Sequence, residues 1–80
     1  MRCVALSFGS SSGVSEFRKV VAEFGASFQE GRPWEGEPDV LCGSEDQIRG
    51  VLRAFRDRWG KRYAFRVHAP GDLKSFEVWD

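Results

Sequence analysis

Two apolar stripes at helical spacing, set among short strand-like runs, limit what this chain can become. In the first, Val14, Phe17, Val20, Val21 and Phe24 recur on one side, and Glu16, Lys19 and Glu23 fall on the other. Gly25 stands where such a helix would stop. The second stripe is sharper. Ser44 and Gln47 have capping-box spacing, Glu45 and Asp46 complement the dipole in the first turn, and Ile48, Val51, Leu52, Phe55 and Trp59 then follow before Gly60. Neither helix, at about 11–16 residues, can hide its stripe alone, whereas both can share one face of a sheet.

The remaining segments supply that sheet. Cys3–Phe8 is a compact apolar run suited to a covered strand, and Gly9–Gly13 (GSSSG) breaks it ahead of a helix over Val14–Phe24. Ala26–Glu30 is a weak strand, Gly31–Pro38 a loop punctuated by Pro and Gly, and Asp39–Cys42 a short strand. Lys61–His68 alternates, with Tyr63, Phe65 and Val67 on one face and Arg62, Ala64 and Arg66 on the other. A turn at Pro70–Gly71 leads to a last strand over Leu73–Trp79. The order is β-α-β-β-α-β-β. The expected fold is a single α+β domain over residues 1–80, two helices on one face of a four- to five-stranded, mostly antiparallel sheet. That is a split βαβ (ferredoxin-like) arrangement with an added terminal hairpin. The alternative is an open sheet with Cys3–Phe8 and Asp39–Cys42 as parallel neighbours.

Eighty residues bury about 60–65% of their unfolded surface, so the stability margin is modest. The chain begins on Met1 and ends on a strand-like segment, and is expected to be a complete short gene product. Cys3 and Cys42 are too few for a disulfide scaffold and lack the partners of a zinc site. They are expected to be buried free thiols on neighbouring strands, which fits a reducing, cytoplasmic location. No apolar stretch approaches the ~18 residues of a membrane helix, and Cys3–Leu6 is too short for a signal-peptide core.

The chemistry-bearing motifs are thin. Gly9–Gly13 stands where a phosphate loop would, but the Lys of a GxxxxGK loop and the GxGxxG spacing are both missing, so a helix-capping turn is the plain reading. Cys42 precedes a helix N-terminus, yet nothing brings the one histidine, His68, to it. Glu35, Glu37 and Asp39 lie in a loop rather than on a rigid frame for acid–base work. No catalytic set, metal set or cofactor is expected, and the chain reads as a non-enzyme. Lys61–Val67 partly resembles the RNA-recognition RNP1 pattern, with Arg62 where Gly belongs and Arg66 where Val belongs.

Charge is more informative. Net charge is zero from 12 basic and 12 acidic residues, yet residues 1–47 carry four basic and eight acidic ones, and residues 48–80 the reverse. Glu30, Glu35, Glu37, Asp39, Glu45 and Asp46 put six carboxylates within 17 positions, with Trp34 among them. That pattern reads as a recognition surface, with Trp34 as anchor and Glu35, Glu37, Asp39, Glu45 and Asp46 steering a basic protein partner. The plain alternative folds Trp34 back onto the core. Arg49, Arg53 and Arg56 fall on one flank of the second helix, and Arg62 and Arg66 follow on the next strand. Such a strip could contact the phosphates of a single-stranded nucleic acid, although zero net charge weakens that case. Two opposite patches are also compatible with a homo-oligomer.

A short, charge-sorted α+β chain with the Gly9–Gly13 joint, the acidic Trp34 loop and the Arg49–Arg56 strip resembles the small anti-CRISPR proteins of phages and mobile elements. Type I-C systems are the suggested target. The resemblance implies stoichiometric, non-catalytic binding to a CRISPR effector subunit in the host cytoplasm, with Glu35, Glu37, Asp39, Glu45 and Asp46 in a basic channel meant for DNA. Neutral overall charge limits this to local charge mimicry.

Overall fold

A computed structural model describes residues 1–79, and of Ala69 the backbone alone. The chain runs β1 (Arg2–Phe8), α1 (Ser11–Phe24), β2 (Ser27–Gln29), a 3-10 turn (Pro33–Glu35), β3 (Asp39–Gly43), α2 (Glu45–Trp59), β4 (Phe65–Ala69) and a second 3-10 segment (Gly71–Phe76). The strands lie in the order β2-β3-β1-β4, and every adjacent pair is antiparallel. β1 and β2 therefore point the same way with β3 between them, and β3 and β4 likewise with β1 between them. Two interleaved split βαβ units result, which is the ferredoxin-like arrangement. The strands Cys3–Phe8 and Asp39–Cys42 are indeed neighbours, but antiparallel ones.

Strand alternation decides which face the helices cover. Val4, Leu6, Leu41, Phe65 and Val67 are fully buried with Phe17 and Val20 of α1 and Ile48, Val51, Leu52 and Phe55 of α2. Aromatic rings knit the two layers, with centroids 4.9 Å apart for Phe8–Phe17, 5.1 Å for Phe17–Phe55 and 5.4 Å for Phe55–Phe65. The helices approach closely because Gly50 carries no side chain, and a Cβ there would meet the Phe24 ring at 2.5 Å. The Cα radius of gyration, 11.2 Å, matches the roughly 11.6 Å of a compact domain of this length.

The ends of the elements show where local chemistry outweighs periodicity. α1 starts three residues ahead of Val14, because the Ser10 hydroxyl accepts the Gly13 N–H at 3.2 Å and so caps the helix. Gly13 then packs under Tyr63, with 3.2 Å between its hypothetical Cβ and the Tyr63 Cβ. The expected strand at Lys61 begins only at Phe65, because Arg62 and Tyr63 N–H groups return to Trp59 O and prolong the helix end as a turn.

Two expectations are corrected. The last strand over Leu73–Trp79 is absent. Leu73 and Phe76 lie three apart, the repeat of a 3-10 helix, and both are buried on the core side, leaving one isolated bridge between Phe65 and Val78. Cys3 and Cys42 are not buried free thiols but a disulfide, Cα–Cα 4.1 Å, on the sheet face away from the helices. The argument for a reducing compartment therefore loses its premise. A crosslink between positions 39 apart contributes about 4 kcal/mol in the chain-entropy account, a large share of a small domain's margin. No helix among the described residues is long and apolar enough to cross a membrane.

Candidate functional site

The loop between β2 and β3 is built as a turn that displays one side chain. Pro33 fixes its own φ and Gly36 takes the left-handed conformation (φ 73°), so the chain closes on itself at both ends. Glu35 N–H and Glu37 N–H donate to Arg32 O at 2.9 and 3.1 Å, and Gly36 N–H to Pro33 O at 3.1 Å. At the base, Gly31 N–H donates to Asp39 Oδ1 at 2.8 Å, tying the loop's entrance to the first residue of β3. Trp34 stands at the tip, 80% exposed. It does not fold back onto the core.

Clefts lie on either side of this turn. One, about 500 Å³, runs between Pro33, Glu37 and Asp39 on the loop and Ser7 and His68 on the sheet. The other, about 460 Å³, lies between Trp34 and the start of α1, walled by Phe8, Ser10 and Val14. Only the second is lined by the exposed Trp34 ring itself.

Of the expected acidic set, the structure gathers only part. Glu35 and Glu37 are exposed on the turn, Glu35 within 3.4 Å of Arg32. Asp39 spends a carboxylate oxygen on the loop's own backbone and is half-buried, so its role is to hold the turn. Glu45 and Asp46 sit beyond the other end of β3, about 13 Å further along the strand direction. Glu45 is already engaged, accepting from Arg2 at 2.6 Å and Arg49 at 2.8 Å, and its carboxyl is held below the usual range by those hydrogen bonds. Glu30 pairs with Arg18 at 2.7 Å.

The basic strip is divided as well. Arg49 is bound to Glu45. Arg53 and Arg56 lie over the Phe76 ring, at 6.0 and 5.3 Å from its centroid, and Arg56 also faces Asp57 at 3.5 Å. Arg62 lies 6.0 Å from the Tyr63 ring. Arg66 is on the opposite side of the sheet, because Phe65 and Val67 on either side of it point into the core, and it stacks under Trp79 at 4.3 Å. The RNP1-like segment therefore buries Phe65 instead of offering it to a base. The outer sheet face carries small or polar residues, among them Ala5, Ser7, Ser27 and Gln29.

One contact had no sequence signal. The β1–β4 ladder slips between Ala5 and Leu6, which pair with Ala69 and Val67, and this bulge leaves His68 unpaired. Its Nε2 lies 2.6 Å from Ser7 Oγ on the outer face. The separation of 61 positions and the slip in register, neither readable from alternation, bring the two together. Ser–His is half of a nucleophile–base arrangement; among the described residues no hydrogen bond orients the other ring nitrogen. Comparison of this chain with protein-family models, with curated proteins and with solved structures finds no match.

Proposed function

We propose that this chain is a non-catalytic protein-binding domain that docks through the Trp34 turn onto a basic surface of its partner. The observation that supports this most strongly is the 80% exposure of Trp34 on a turn braced by three backbone hydrogen bonds within it and by the Gly31 N–H donating to the Asp39 carboxylate at its base. Trp is enriched among the residues that anchor interfaces, and a braced turn loses little entropy on docking. Glu35 and Glu37 beside it favour a cationic partner and repel an acidic one. Asp39 holds the turn, and Glu45 and Asp46 belong to a separate end of the molecule, so the docking set is Trp34, Glu35 and Glu37.

The anti-CRISPR resemblance gives this reading a specific form, in which the partner is a DNA-binding subunit of a type I-C effector complex and binding inhibits it. Mixing the chain with purified type I-C effector should then give a co-eluting complex that weakens with salt and loses target-DNA binding. Absence of co-elution would remove the CRISPR assignment and leave the docking claim to be tested on whatever partner the turn captures. The alternative, a single-stranded nucleic-acid binder built on the Arg strip, is less favoured because Arg49, Arg53 and Arg56 are on one side of the sheet and Arg66 on the other.

A further inference from the structure

Cys3 and Cys42 are directly opposed residues of the antiparallel β1–β3 ladder, and their disulfide lies on the face the helices leave open. The two sulfur-bearing residues are not equivalent. Cys3 is exposed and Cys42 half-buried. Beside Cys42 stands its β2 ladder partner Ser27, but the β1–β4 ladder starts only at Ala5, so among the described residues no strand flanks Cys3 on its outer side. Attack on a disulfide needs access to one sulfur along the line of the bond. Cys3, the exposed residue of the pair, is the side from which that approach needs no opening of the core, which lies on the other face of the sheet.

We infer that the Cys3–Cys42 bridge is a thiol–disulfide exchange site, opened in the folded state by dithiol reductants that attack Cys3 Sγ. A thiolate of the dithiol bonds to Cys3 Sγ as the Cys3–Cys42 bond breaks, and Cys42 leaves as thiolate. The second thiol of the reductant, as its thiolate, then attacks its own sulfur in the mixed disulfide and releases Cys3 thiolate. The reductant departs as its internal disulfide. Two electrons pass to the bridge, and the two protons of the dithiol end on the cysteines. Exposed disulfides of this kind exchange readily, whereas buried structural ones resist. Opening the bond leaves the ladder and the core in place but frees a long loop in the unfolded chain, so the folded state loses stability in the reduced form. The inference is independent of the Trp34 turn.

The test uses the whole oxidised chain with dithiothreitol as the reductant, at 25 °C, with acid quenching and alkylation of the thiols released. Reduction is expected to be first order in dithiothreitol and faster than global unfolding in the same buffer. Exchange with glutathione, trapped by alkylating the released thiol, should place the adduct on the peptide that begins at Cys3. The reduced chain should melt roughly 15–30 °C lower, and the double variant Cys3→Ser/Cys42→Ser should match it and ignore dithiothreitol. If that variant fails to fold, the wild-type comparison with and without reductant carries the same information. A rate that plateaus at the global unfolding rate would overturn the inference, as would an adduct on Cys42, free thiols in the purified oxidised chain, or a melting temperature indifferent to reductant.

Discussion

Gln47 joins two helix ends with one side chain. Its Oε1 accepts the Ser44 N–H at 2.9 Å, while Ser44 Oγ accepts the Gln47 N–H at 3.1 Å, which completes the capping box of α2. Its Nε2 donates to Phe24 O at 3.1 Å and Gly25 O at 3.3 Å, two carbonyls at the end of α1 that have no helical partner. Ser44→Ala should therefore cost about 1 kcal/mol, and Gln47→Ala more, because it strips both the cap and the α1 terminus. Urea midpoints of the two variants check the order; a smaller loss for Gln47→Ala would show the link to α1 contributes nothing. The capping box was legible from the Ser44 and Gln47 spacing alone. The link to α1 was not, since it joins residues more than twenty positions apart through an amide whose direction only the fold sets. Asp39 makes the same point: its acidity pointed to partner steering, and its place opposite Gly31 makes it a brace.

At the scale of elements, α1, α2, β1 and β4 followed from apolar period or run, β2 and β3 were legible only as short segments between loop signals, and the C-terminal segment was misread. In Leu73–Trp79 only Phe76 and Val78 alternate as a strand would, whereas Leu73 and Phe76 are three apart, and the core takes both. The two readings differ in a measurable way. In a strand Leu73 and Phe76 would face opposite sides, so only one could be costly to truncate. In the 3-10 segment Leu73→Ala should cost about 2–5 kcal/mol and Phe76→Ala about 3–5 kcal/mol, with Lys74→Ala within about 0.5 kcal/mol of wild type. Denaturant unfolding of the three variants decides it, and a near-neutral Leu73→Ala would restore the strand. The underlying ambiguity is physical, since over seven residues a period of two and a period of three share positions. The Trp34 turn was legible as a loop from Pro33 and Gly36. That Trp34 projects from it depended on Pro33, the left-handed Gly36 and the Asp39 brace acting together.

Over the whole molecule, charge sorting along the sequence becomes charge pairing in space. Arg2 from the acidic half joins Glu45 to Asp72 from the basic half, and Arg58 on α2 holds Glu23 on α1 at 2.6 Å. Hydrogen bonds from Arg2 lower the Asp72 carboxyl, and those from Arg2 and then Arg49 lower Glu45; Arg58 lowers Glu23. Groups whose folded pKa is depressed stabilise the fold above their unfolded pKa, near 3.8 for Asp72 and 4.5 for Glu23 and Glu45. That contribution is lost as pH falls through the lower folded values. The fold should weaken below about pH 4.5, and Arg2→Met should flatten the acid limb of a urea-midpoint profile; an unchanged limb would mean these pairs form equally in the unfolded chain. At the Trp34 turn, Glu35 pairs only with Arg32 of the same loop, Glu37 makes no ion pair among the described residues, and Trp34 is 80% exposed. The six-carboxylate patch anticipated from composition dissolves because β3 carries Glu45 and Asp46 to the opposite end of the sheet from Glu30, Glu35, Glu37 and Asp39, a separation that sequence proximity hides.

The direct test compares the wild-type chain with Trp34→Ala/Glu35→Lys/Glu37→Lys, titrated calorimetrically against the captured partner, with melting temperatures measured alongside. Asp39 stays intact so that the turn keeps its brace. The account predicts that affinity falls well over tenfold, with the loss steeper at low salt, and that the melting temperature moves by no more than a few degrees. Wild-type affinity in the variant, at unchanged melting temperature, would contradict it.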